Sequence, residues 1–204
     1  LQAFDINQRM PRVVDHGERR RELGAVVCRA IAEHGMDGAT VRVIATSSGW
    51  STGVLSHYFE DKTDLLLHAL VAVAEAAGRR MEGSARLPAD AALRDLVHQA
   101  LPLDDARRIE WRVWLAFWGK ASSDPRLAAE QGRLYRRWRR TVDTAITRAQ
   151  REGSAAPRAN SKTEAMALVV FIDGLGLQAS LEPDRFPALR QRRMVDAYLR
   201  RALG

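Results

Sequence analysis

Along most of the chain apolar residues return every three or four positions, the period of a helix with one face turned inward. Leu23, Val27, Ala30, Ile31 and His34 form such a stripe, and Gly35 ends that helix, with "GMDGA" as the connector. Two short segments follow, 41–48 and 52–59, separated by Gly49. Asp61 then caps a long helix, Asp64 completes a capping-box arrangement three positions later, and "LLLHALVAVAEAA" carries the helix to about Gly83. Further helices are predicted at about 89–101, 104–122, 125–152, 161–182 and 187–203, with Pro88, Pro102, Pro125, Pro157, Pro183 and Pro187 near the breaks. Sustained alternation of β-branched and polar residues is absent, and no Asn-Gly or Asp-Gly pair closes a hairpin. The pattern predicts an all-α chain of about nine helices without internal repeats. Its one linker-like stretch, "GSAAPRANS" at 153–161, is short enough to join two packed helices.

A helix of about seven residues is too short to persist in isolation, so the 52–59 segment must be held by its neighbours, which leaves its outer face free. That is the logic of a helix-turn-helix, in which a first helix supports a second whose polar face enters the major groove. Ala45 is small where the two helices cross, Gly49 supplies a left-handed turn, Ser51 caps the second helix, and Leu55 and Phe59 turn inward. Thr40 caps the first helix and offers its hydroxyl to a phosphate, while Arg42 and Arg12 add charge. Thr52, Gly53, Ser56, His57 and Tyr58 are left outside, with Val54 at the edge. Hydroxyls reach base edges or phosphates, Val54 touches a thymine methyl, and Gly53 permits close approach. Lys62 adds a positive charge to the exposed amides opening the next helix, an anion site suited to phosphate. The competing reading makes His57 and Tyr58 a structural pair closing a small domain and Lys62 a solvated charge. "ERRRE", 18–22, is either a solvated helix face or a set of backbone contacts.

"TVRVIATSSGWSTGVLSHYFEDKTDLLLHAL", 40–70, resembles the DNA-binding signature of the TetR family of bacterial transcriptional repressors. The similarity runs over about 17–70: Thr at the cap, Ile-Ala, the turn Gly, the Ser-Thr-Gly start of the recognition helix, Tyr-Phe at its end, then an acidic residue, Lys and a Leu-rich helix. Beyond it, "WLAFW", "DPRL" and "DGLGLQ" are similar to the BetI-like branch. The resemblance implies a homodimer, a double-stranded DNA operator near a target promoter, and a small-molecule inducer held by the larger C-terminal domain. It divides the chain into a helix-turn-helix domain at 10–69 and a helical ligand-binding and dimerisation domain at 70–204, with 1–9 a tag or upstream extension. Two positions depart from the commoner pattern. Trp50 replaces a small β-branched residue after the turn glycine, and Ser56 stands where many members carry a tyrosine or histidine, a place that bears on base preference.

Charge does not itself argue for DNA. The chain carries 32 Lys+Arg against 25 Asp+Glu, a net +7, yet residues 1–70 hold 8 basic and 9 acidic side chains, so the surplus lies in the C-terminal part. Cys28 is the single cysteine, set among Val26, Val27 and Ile31, which excludes an internal disulfide and reads as a small buried hydrophobe in a reducing compartment. The longest apolar run, "AMALVVFI", stops at Asp173, short of a bilayer span, so no membrane partner and a cytoplasmic location are expected.

In "IEWRVWLAFW", 109–118, Trp111, Trp114 and Trp118 share one helix face. Ordinary core packing competes with a ligand wall; indoles suit a flat or cationic guest, with Phe117, Tyr135, Trp138 and Phe171 as candidate co-lining residues. "YRRWRR", 135–140, reads as a solvated face anchored by Trp138. "AMALVVFIDGLGLQASL", 165–181, is apolar on nearly all sides, with Gly174 and Gly176 allowing close approach; with "MVDAYLRRAL" it suits a four-helix interface between two subunits through helices 161–182 and 187–203. No Gly-rich phosphate loop, His-Glu-x-x-His pair or nucleophile–His–acid set appears, so no enzyme, cofactor or metal is expected. A helical small-molecule-binding or scaffold protein with a vestigial DNA-binding module is the alternative to a ligand-released repressor.

Overall fold

A computed structural model describes residues 16–157 and 159–204, with the side chains of 16–21, 57, 58 and 62 outside the description. Arg12 and the 1–9 extension therefore lie outside the described residues. Nine α-helices and no strand occur among the described residues: α1 (His16–Gly38), α2 (Val41–Ser48), α3 (Thr52–Tyr58), α4 (Lys62–Ser84), α5 (Ala89–Gln99), α6 (Asp105–Ala121), α7 (Pro125–Arg151), α8 (Ser161–Leu181) and α9 (Ala188–Leu203). Helical hydrogen bonding runs through Gly35 to Gly38, but Gly35 itself is non-helical at φ 68°, ψ 178°, so the expected end of the first helix is a break in its last turn.

Side-chain caps start the helices where the sequence placed them. Thr40 accepts from Val43 N at 3.3 Å, Ser51 from Val54 N at 3.3 Å and Asp61 from Asp64 N at 2.7 Å. The Asp64 carboxylate reaches back to Glu60 N at 3.2 Å, one residue earlier than a capping box requires. Asp104, Asp124 and Asn160 cap α6, α7 and α8 in the same way.

Two apolar cores result. The first gathers Leu23, Val27 and Ile31 of α1, Ile44 of α2, Leu55 of α3 and Leu66 and Leu70 of α4. Cys28 is buried there, its Sγ–H 3.5 Å from Ala69 O, and burial pushes its thiol up to about 12, so it is an inert hydrophobe. The second core lies among α5, α7, α8 and α9 around Leu96, Val142, Ile146, Leu168 and Ile172. α6 belongs to both: Val113 and Phe117 are fully buried in the first core, and Trp111 is buried in the second.

α8 is long and apolar enough to cross a membrane by length and composition, with a mean hydropathy of 1.4. Here it packs against α6, α7 and α9 and buries Ala165, Leu168, Ile172, Leu175 and Ala179, as a helix covered on more than one side does. Gly176 admits the indole of Trp111 from the same chain: a Cβ at this position would overlap its six-membered ring. Gly174 has no such neighbour within 4 Å. The close approach expected between subunits is, at Gly176, an intramolecular one. A Gly176→Ala substitution is predicted to lower stability by about 1–3 kcal/mol through overpacking against a rigid ring, read as a fall in the midpoint of thermal unfolding; an unchanged midpoint would show that Trp111 has room to move.

Candidate functional site

The helix-turn-helix forms because two short helices share one buried seam. Gly49 adopts φ 71°, ψ 10°, the left-handed turn that a side chain would strain, and α3 follows at once. Leu55 is fully buried and Phe59 nearly so, its ring edge-on to His68 at 5.0 Å. The other described α3 side chains face water: Thr52, Gly53, Val54 and Ser56 are all exposed, as are Ser51, Thr40 and Arg42 on its flanks. Because the Thr40 and Ser51 oxygens accept helix-capping bonds, their hydroxyl protons remain available to a phosphate, whereas Ser56 Oγ donates to Thr52 O at 3.0 Å. His57, Tyr58 and Lys62 occupy helical backbone positions, but their side chains lie outside the described residues. Trp50 is half-buried against the core, which accounts for its size after the turn.

A second feature is a cavity of about 560 Å³ bounded by α4, α5, α6, α7 and α8. Trp111, Trp114 and Trp118 form its α6 wall and Tyr135 and Trp138 its α7 wall. Trp118 meets Trp111 edge-on at 5.7 Å, Trp114 at 6.3 Å and a nearly parallel Tyr135 ring at 6.4 Å. Trp111 Nε1 donates to Ala100 O at 2.9 Å, fixing that indole. Two expected wall residues are elsewhere. Phe117 follows Trp114 by three and precedes Trp118 by one, but points toward α1 and is wholly buried in the DNA-binding core. Phe171 is turned away from the cavity-facing Ile172 and Asp173 by the helical rotation and stacks on Tyr198 at 4.6 Å.

Electrostatics in the cavity centre on a group the sequence reading passed over. Asp173 lines the wall, and Tyr135 Oη donates to its Oδ2 at 2.7 Å. Burial pushes the Asp173 carboxyl up to about 6, against the lowering effects of the Tyr135 bond and the Arg139 charge. Burial and the adjacent carboxylate push the Tyr135 hydroxyl up as well. By contrast, Glu110 is taken by Arg80 in a two-pronged bond of 2.6 and 2.7 Å, and Arg107 pairs with Asp104 at 2.7 Å. The signal for Asp173 was present in the sequence: one carboxylate within a helix otherwise apolar from 165 to 181. No group of three metal-ligating side chains occurs among the described residues.

On the outer side of α8, Met166, Val170, Leu177 and Leu181 are exposed, Val170 and Leu181 at 67% and 69%, and Leu189 and Met194 of α9 add to the apolar surface.

Known proteins resemble both parts of the chain. A family pattern described as "Bacterial regulatory proteins, tetR family" matches residues 26–69, and one described as "BetI-type transcriptional repressor, C-terminal" matches 89–204. The chain is 32% identical to the transcriptional regulator BetI of Stenotrophomonas maltophilia, covering 93% of this chain and 95% of that one. It is 31% identical to the regulator PksA of Bacillus subtilis over 91% and 90%. Among solved structures, a transcriptional regulator from Saccharomonospora viridis, in complex with choline, is similar at a TM-score of 0.83 and 26% identity, over 92% of this chain and 98% of that one. With the signature helices, the two-domain match and relatives of nearly equal length in agreement, the chain belongs to the TetR family of bacterial regulatory proteins, with a C-terminal domain of the BetI type.

Proposed function

We propose that the protein is a homodimeric transcriptional repressor of the cytoplasm that holds a palindromic operator through two copies of α3 and releases it when a small organic cation enters the aromatic cavity. The observation that carries this reading is the double burial of α6. One side of that helix lines the cavity with Trp111, Trp114 and Trp118, and the other buries Val113 and Phe117 in the core that supports α3. Arg112 adds a bond to Ala32 O of α1 at 3.2 Å, and Arg126 of α7 approaches the Asp61 cap of α4 at 3.7 Å. A ligand that shifts α6 repacks α1 and α4 with it. A coupling of about 1–3 kcal/mol relieves repression roughly five- to 150-fold.

DNA contact is assigned to Thr40, Arg42, Ser51, Thr52, Val54, Ser56, His57, Tyr58 and Lys62. One such helix reads few base pairs at roughly 1–3 kcal/mol each, so two copies about 34 Å apart supply the discrimination. The exposed apolar side of α8, with α9, supports pairing of two subunits, since a stripe of this kind is costly to leave in water. An organic cation suits the cavity because indole and phenol faces attract positive charge, as Arg139 over the Tyr135 ring at 5.6 Å illustrates, and because among the described residues no basic side chain is hydrogen-bonded to Asp173. The choline held by the Saccharomonospora neighbour supports the same class.

In a gel-shift titration with DNA flanking the coding region, Tyr58→Ala and Lys62→Ala are predicted to weaken binding while the dimer persists. Lys62→Ala, which removes one phosphate contact from each subunit of the dimer, should lower the slope of log affinity against log salt by about 2. Absence of any shift at low salt would favour a ligand-binding or scaffold protein with a vestigial DNA module. Val170→Glu places a charge in the exposed stripe and is expected to halve the mass seen by light scattering and to abolish the shift; a dimer that survives it uses another surface. Because the Asp173 carboxyl is protonated below about 6 and ionised above, a cation binds the form that grows as pH rises. Choline affinity, followed by tryptophan fluorescence, should therefore increase from pH 5 to pH 7 and level off beyond, and Asp173→Asn should flatten the curve. A pH dependence that outlasts Asp173→Asn would assign the titration to another group.

A further inference from the structure

We propose that the cavity takes an amphiphilic organic cation, with an ammonium head seated between Tyr135, Trp118 and Asp173 and an extended apolar tail lying along α7 toward Ala145. The inference rests on the reading of this cavity as the ligand site and names the class of molecule it selects.

The cavity is long. Its lining on α7 runs from Gln131 to Arg148, about 25 Å of helix at 1.5 Å per residue, and on α4 from Ala74 to Ala85, about 16 Å. A volume of about 560 Å³ falls within the range of sites for drug-sized molecules and far exceeds the needs of a cation as small as choline.

Its two ends differ in chemistry. The head end holds the aromatic rings and the one half-buried carboxylate in the lining that no basic side chain bonds among the described residues. Beyond it the walls are small and apolar: Ala77 and Met81 of α4, Leu96 of α5 and Ala145 of α7. Several polar groups along this second half are already engaged. Ser84 Oγ donates to Asp95 at 2.6 Å, and Arg80 is held by Glu110. Arg148 closes the end, donating to Ala85 O and Leu87 O at 2.9 Å each and to Glu152 at 2.9 Å, so it has little left for an anionic terminus. Arg137 and Glu82, both exposed, sit at the rim. A guest with charge at one end and hydrocarbon at the other satisfies both halves; choline alone leaves the apolar half wet.

The test is a fluorescence titration of the full chain with choline, hexyltrimethylammonium, decyltrimethylammonium and decanoate, each below its micelle concentration. Trp111, Trp114, Trp118 and Trp138 report from the cavity walls. Affinity should rise about fourfold per added methylene until the tail reaches Arg148. Decanoate, with a similar tail and the opposite charge, should bind at least tenfold more weakly than decyltrimethylammonium. Ala145→Trp, or Ala77→Leu where the first variant loses its thermal transition, should cut decyltrimethylammonium affinity at least tenfold and spare choline. Equal affinity across chain lengths, or decanoate binding as tightly as the cation, overturns the proposal. Chain-length-dependent binding that leaves the DNA complex intact upholds the ligand class and overturns only the regulatory reading.

Discussion

Everything in this molecule turns on α6 being buried on two of its sides. Its Val113 and Phe117 are fully buried in the core that α1 shares, and its indoles make up one wall of the cavity. Well-packed interiors resist small displacements, since a gap of a fraction of an ångström already forfeits dispersion energy. A guest that moves Trp114 or Trp118 therefore cannot leave Phe117 where it was without opening a void against α1. Under the proposed function, the cost of that void is the physical basis of communication between the two domains.

The proposed preference for a cation rests on the cavity using up its own positive charges. Arginines are frequent along its walls, and a cavity lined by free guanidinium groups would draw anions. Arg80, Arg107 and Arg148 are each held by carboxylates or backbone carbonyls, which leaves their fields largely cancelled within the site. Asp173 is treated differently. Its neighbour is a hydroxyl that stays protonated, so the carboxylate is hydrogen-bonded without being neutralised, and burial raises the cost of its charge until a cation arrives.

The helices were readable because caps and prolines mark them: Thr40, Ser51 and Asp61 each bond the amide their spacing implies. The outward face of α3 was readable for a related reason, since Leu55 and Phe59 alone fix the rotation of a seven-residue helix. In α6 the same periodic argument was incomplete. Three tryptophans define a stripe, but α6 is buried on the opposite side too, and nothing in the spacing of Phe117 says which of two interiors it enters. Phe171 shows the same limit on α8, where apolar residues on nearly all sides erase the rotational signal. Asp173 was visible only as the end of a hydrophobic run, because the sequence shows that a carboxylate interrupts the helix but not that Tyr135, 38 positions away, meets it.

α8 carries the cavity residue and the apolar stripe on adjoining faces. Asp173 and Ile172 line the cavity, Gly176 makes room for Trp111, and Val170 and Leu177, three positions before Asp173 and four after it, stand exposed beside it. Side chains three and four positions apart on a helix are neighbours, so a ligand head at Asp173 lies directly beside the apolar stripe proposed for the second subunit. Any rotation of α8 that improves the grip on a guest also turns that stripe. Because a two-fold interface is self-complementary, the turn is felt twice in a dimer, once from each copy. In the proposed dimer, the glycine that seats Trp111 would thus tie the geometry of the cavity to the spacing between subunits, the quantity on which binding to successive major grooves depends.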